Sequence, residues 1–108
     1  MPNVYVINRS GHDFHEAEKY GKLIYLSEGS MSRYATARIY RQFAEILKHS
    51  KEDDFILTTG LSVMNCIATS IMTALHGKIN LLLFKDGKYV TRTIAIHELL
   101  NKESEHDS

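Results

Sequence analysis

The stretch Asp54-Phe55-Ile56-Leu57-Thr58-Thr59-Gly60-Leu61-Ser62-Val63-Met64 decides how the rest of the chain is read. Its apolar run predicts a buried strand over 55–58, closed by a hydroxyl-rich turn with one glycine. A helical pattern then starts at Val63. A strand passing through a small-residue turn into a helix is half of a βαβ unit. Its turn leaves backbone N–H groups unpaired at a helix N-terminus, where the macrodipole favours an anion. That points to a class of ligand and leaves the reaction open.

Upstream, Val4-Tyr5-Val6-Ile7 is β-branched and aromatic and predicts a first buried strand. After a polar loop, Asp13 and Glu16 have the spacing of a capping box, opening a helix over 14–20 that ends at Gly21. Leu23-Ile24-Tyr25-Leu26 predicts the second strand, and Ser27-Glu28-Gly29-Ser30 the turn that closes it. Over 32–48 the period becomes helical, with Ile39, Phe43, Ile46 and Leu47 on one stripe. Downstream, the helix over 63–76 is apolar on two sides: Val63, Ile67, Ile71 and Leu75 on one, Met64, Ala68 and Met72 on the other. It is expected to pack on the sheet and on a neighbouring helix or subunit. The near-continuous apolar run over 79–84 predicts a strand covered on both faces. Asp86-Gly87 predicts a hairpin into a fifth, antiparallel edge strand over 89–96. The segment over 97–100 adds a helical turn, and Asn101 to Ser108 is a polar, flexible tail.

The order β-α-β-α-β-α-β-β predicts one α/β domain over 1–100. It would be a three-layer Rossmann-like sandwich around a mostly parallel five-stranded sheet with a C-terminal antiparallel strand. In such sheets ligands bind beyond the carboxyl ends of the strands. Three loops then open on one edge: Asn8, Arg9, Ser10, Gly11 and His12; Ser27, Gly29 and Ser30, with Arg33 and Tyr34 at the next helix start; and Thr58, Thr59, Gly60, Leu61 and Ser62, with Asn65 one turn on. The glycines and hydroxyls supply close backbone approach and donors, and Arg9 and Arg33 can fork onto a phosphate. The same residue types also make turns and caps.

Thirteen basic and thirteen acidic residues cancel in a chain of 108. That excludes binding to bulk nucleic acid through a basic surface, though not a local site for one anion. One cysteine allows no internal disulfide and suits a reducing cytoplasm. No segment approaches the roughly 18 apolar residues of a membrane helix or resembles a signal peptide. Cys66 lies in a helix pattern and is expected to be a core thiol. His12, Asp13 and His15 are too few to build a metal site, so neither metal nor cofactor is expected. His12, following a glycine in a strand-end loop, is the candidate acid–base group.

Thr58-Thr59-Gly60-Leu61-Ser62-Val63-Met64, running into Ala68 and Gly77-Lys78-Ile79, resembles the strand-to-helix turn of CRISPR-associated Rossmann (CARF) domains, which bind cyclic oligoadenylates. Thr59 and Gly60 stand at that pattern's Thr-Gly, Ser62 near its hydroxyl and Met64 at its Met; Leu61 replaces its second glycine and Val63 its lysine. The phrases Gly11-His12-Asp13-Phe14 and Thr59-Gly60-Leu61-Ser62-Val63-Met64 also resemble small bacteriophage proteins. The resemblance implies a cyclic-nucleotide or ADP-ribose type of ligand, and a phage setting implies interference with nucleotide-signalled defence in the host cytoplasm. Three functions compete. A binding module, dimeric through the helix over 63–76, would sequester the ligand. A small metal-independent hydrolase or phosphodiesterase would cleave it, using His12 with Arg9 or Arg33. A protein-interaction domain would use the loops on a partner chain.

Overall fold

In the computed structural model, residues 1–9, 12–60, 62–98 and 100 are described, Ser62 by its backbone alone. Ser10, Gly11, Leu61, the Ser62 side chain and the tail over 101–108 therefore lie outside the described residues. Strand β1 (Asn3–Val6) leads to a 3-10 helix (His15–Tyr20), then β2 (Lys22–Tyr25), α1 (Thr36–Leu47), β3 (Phe55–Leu57), α2 (Ser62–His76), β4 (Ile79–Lys85) and β5 (Lys88–Ile94). The sheet has the order β2-β1-β3-β4-β5; its first four strands are parallel and β5 is antiparallel to β4. The protein is thus a mixed α/β fold.

Alternation along β1 sorts the core into two. Tyr5 and Ile7 join Ile39, Phe43 and Leu47 of α1 and Met64, Ala68 and Met72 of α2 on one face. Val4 and Val6 join Phe14, Ala17, Leu57, Leu82 and Tyr89 on the other. Each fully buried side chain of this size contributes roughly 1.5–3 kcal/mol through the area it removes from water. The first face carries both α-helices, whereas the second is roofed by the 3-10 helix alone among the described helical elements. Gly21 makes that connection tight: a Cβ there would meet the Pro2 carbonyl oxygen at 2.1 Å. The absent side chain lets the Lys22 N–H donate to Pro2 O at 3.2 Å and set β2 beside β1.

The expected hairpin is present, with Asp86 (φ 52°) and Gly87 (φ 80°) both left-handed, as a two-residue type I′ turn requires. Several expectations are corrected. The helix over 14–20 is a 3-10 helix whose N-cap is Phe14, without a capping side chain. Asp13 Oδ1 instead accepts the His15 N–H at 2.9 Å, and no capping box forms. α1 begins at Thr36, because Ser32 first makes a turn, accepting the Ala35 N–H on its carbonyl and the Tyr34 N–H on its hydroxyl. β4 is not covered along its length: Ile79 and Leu82 are buried, while Phe84 is 66% exposed. Cys66 is exposed on the outer side of α2 and is not a core thiol. Among the described residues no helix is long and apolar enough to cross a membrane.

Candidate functional site

β1 neighbours β2 on one side and β3 on the other, so the chain reverses its winding between β1 and β3. At such a switch point the loops diverge and leave a crevice beyond the strand ends. The loops after β1 and β2 are stitched together as they leave the sheet. The Arg9 N–H donates to Ser27 O at 2.8 Å, the Gly29 N–H to Arg9 O at 3.4 Å, and Asn8 Nδ2 to Gly29 O at 3.0 Å. The Ser27 hydroxyl donates to Ile7 O at 2.8 Å. Ser27 and Asn8 are both buried, so the structure uses them as struts between loops. Asn8 Oδ1 has no hydrogen-bond partner among the described residues.

The loop after β3 is held from within. The Thr59 N–H donates to Asn65 Oδ1 at 3.2 Å and Asn65 Nδ2 donates back to Thr59 O. Asn65 therefore shapes the turn at the start of α2. Gly60 has no left-handed φ, and a Cβ built on it meets nothing within 4 Å. The fold does not require glycine there, and the missing side chain leaves room in front of the turn.

That room is part of a cleft of ≈ 260 Å³ between Thr58, Thr59 and Gly60 on one wall, His12, Asp13 and Phe14 on another, and Phe84 and Tyr89 on the third. The third wall exists because β4 and β5 outlast β3. β3 pairs with β4 only from Asn80 to Leu82, while the hairpin continues through Leu83–Val90, Phe84–Tyr89 and Lys85–Lys88. Phe84 and Tyr89 meet edge to face at 5.2 Å, which presents an exposed ring beside the turn. His12, Asp13 and Phe14 also border a second cleft of ≈ 630 Å³, which runs toward β2 past Arg9, Tyr25, Glu28 and Gly29.

Charge is distributed unevenly around these clefts. The Arg9 guanidinium lies 5.1 Å from the centre of the Tyr25 ring and 3.6 Å from Glu28 Oε1, so its charge is already shared with a carboxylate. Asp13 adds a negative charge, which together with the larger effect of burial pushes the Tyr89 phenol above its usual range. His15 Nδ1 is 3.1 Å from Glu18 Oε2. Among the described residues no group of three or more His, Cys, Asp or Glu side chains is placed to hold a metal ion.

The expected site residues thus divide. Arg9, His12, Gly29, Thr58, Thr59 and Gly60 border the two clefts. Asn8, Ser27 and Asn65 hold the loops that form them. Ser30, Arg33 and Tyr34 border neither cleft. Arg33 instead donates to the Tyr34 hydroxyl at 3.2 Å and lies 5.2 Å from that ring's centre, with Tyr34 80% exposed. Sequence reading missed Asp13, Phe14, Phe84 and Tyr89 as walls. The signal that could have found the last two is the greater length of the apolar run before Asp86-Gly87 than of the run after Asp54.

A profile of the Phage Pam3 gp32-like protein family matches residues 2–96, nearly all of the described sheet and helices. The chain belongs to that family and is a phage protein. No curated protein and no solved structure matches it.

Proposed function

We propose that this phage protein binds a small phosphorylated, nucleotide-like ligand at the C-terminal edge of its sheet and sequesters it from a host defence that signals with cyclic nucleotides or ADP-ribose derivatives. The observation that carries the reading is the convergence at the switch point. The Thr58–Gly60 turn, opening α2, shares one cleft with His12 and the exposed Phe84 ring. A phosphate would meet the N–H groups at the start of α2, in the room left at Gly60, and a base would stack on Phe84. Parallel β2-β1-β3-β4 pairing and the reversal beside β1 support a Rossmann-like relationship for the fold. The partnering of Arg9 by Glu28 supports a ligand bound more by backbone donors and stacking than by salt bridges.

The test is a thermal-shift panel of mononucleotides, cyclic dinucleotides, cyclic oligoadenylates and ADP-ribose, followed by mass spectrometry of small molecules released on denaturation. A ligand at about 100 times its Kd stabilises the native state by about 2.7 kcal/mol, which raises the melting temperature by several degrees. Loss of that rise in Phe84→Ala and His12→Ala would place the ligand in this cleft; a flat response across the panel would overturn the reading. His12 beside Asp13 in the same cleft favours a second reading, metal-independent cleavage of the same ligand with His12 as acid–base group. Recovery of the ligand unaltered after incubation decides against cleavage.

A further inference from the structure

The two clefts at the strand ends share the wall His12, Asp13 and Phe14 but differ in size and in charge. The one at the turn over 58–60, ≈ 260 Å³, is smaller than the roughly 300–1,000 Å³ of ordinary small-molecule sites. Its neighbour, ≈ 630 Å³, lies well within that range. A ligand of nucleotide size that fills the smaller cleft therefore extends past the shared wall into the larger one. Ring contacts continue across that wall, 6.2 Å from His12 to Phe14 and 6.3 Å from Phe14 to Tyr25, centre to centre.

The larger cleft has more acceptors than donors. Asp13, Glu18 and Glu28 line it beside a single arginine, Arg9. The contacts of Arg9 with Glu28, of His15 Nδ1 with Glu18 and of the His15 N–H with Asp13 each engage one oxygen of their carboxylate. A carboxylate accepts on both oxygens. Asn8, which holds the lining residue Gly29 through Nδ2, also keeps a buried Oδ1 without a donor among the described residues. A phosphate entering here would meet three like charges, whereas sugar hydroxyls would find charged acceptors for their protons.

We propose that the larger cleft is a sugar subsite, which takes an unesterified ribose through hydrogen bonds to Glu28 and Glu18. This inference rests on the nucleotide reading above and narrows it. Base on Phe84, phosphate at the turn and sugar beyond the shared wall is the order of a nucleoside diphosphate joined to a second sugar. ADP-ribose has that order. A cyclic oligonucleotide alternates sugar and phosphate around its ring, and would set a phosphate against the carboxylates.

The test is titration calorimetry of the full chain with ADP, ADP-ribose and cyclic di-AMP. ADP-ribose is expected to bind about tenfold or more tightly than ADP, and more tightly than cyclic di-AMP. Glu28→Gln and Glu18→Gln should each shrink the advantage of ADP-ribose over ADP. The two side chains are 68% and 57% exposed, so either variant serves if the other fails to fold by circular dichroism. Equal affinities for ADP and ADP-ribose overturn the sugar subsite and leave the nucleotide reading standing. So does tighter binding of cyclic di-AMP, or an advantage that survives undiminished in both variants. Silence from all three probes overturns the sugar subsite together with the reading it rests on.

Discussion

The two ends of the central strands are built to opposite rules. At the N-terminal end, Asp54, only 2% exposed, accepts the Asn3 N–H at 2.9 Å and the Lys51 N–H at 2.8 Å. Beside it Asn80 donates to Glu52 O and Asp54 O and accepts the Thr93 hydroxyl at 2.8 Å. Every side-chain polar atom of Asn80 is engaged, and one network ties β1, β3, β4 and β5. At the C-terminal end the equally buried Asn8 makes one hydrogen bond and leaves Oδ1 without a partner among the described residues. A domain of this size has little stability in reserve. At the N-terminal end the buried amide is fully paired, and the C-terminal end is where the clefts are.

That contrast can be broken most directly at Asp54. Asp54→Ala strips two half-buried backbone donors of their carboxylate acceptor and should cost about 3 kcal/mol, read from the urea midpoint. The paired asparagines give the next largest signal. Asn80→Ala should cost about 2 kcal/mol and Asn8→Ala about 1 or less, since only the former dismantles a satisfied network. Equal costs would erase the distinction between the ends. Alkaline pH probes both ends together. Burial is the largest cause raising the Tyr5 phenol above 10.0, with the Asp54 charge adding to it and Asn3 opposing; burial and then Asp13 raise Tyr89. A phenol whose folded pKa is raised holds its proton longer in the native state. Its contribution is therefore complete below the unfolded value and lost as pH climbs toward the folded one. Urea midpoints should fall above about pH 10, and Tyr5→Phe and Tyr89→Phe should each flatten the fall. The smallest effect sharpens the contrast: Gly60→Ala should change stability by less than about 0.5 kcal/mol while weakening whatever the panel of nucleotides identifies.

Much of the fold was legible because local periodicity is a local property. The stripe Ile39, Phe43, Leu47 turned inward as read, and Asp86-Gly87 made the turn its φ angles demand. What stayed hidden depends on relations between elements. Asn80 looked like an interruption in an apolar run, yet it is the hub of the N-terminal end, because its partners Glu52, Asp54 and Thr93 come from two other segments. Cys66 and Leu75 fit a buried pattern, but no described element covers that side of α2. For the candidate site, loop composition pointed to the strand-end loops, and Arg9, His12, Gly29, Thr58, Thr59 and Gly60 of those loops border clefts. It could not show that Asn8 and Ser27 would be buried as struts, or that Arg33 would lie against Tyr34.

The interior place of β1, between β2 and β3, has a consequence for synthesis. Val4-Tyr5-Val6 leaves the ribosome ahead of both strands it pairs with, and fifty-one residues separate Asn3 from Asp54 at the edge of β3. At roughly 5–20 residues per second, this apolar strand spends seconds with one hydrogen-bonding edge unclaimed. The β4–β5 hairpin, made last, closes within about 1–10 µs of its release. The nascent chain therefore completes its sheet from its youngest strands, and its oldest is the one exposed longest to wrong partners.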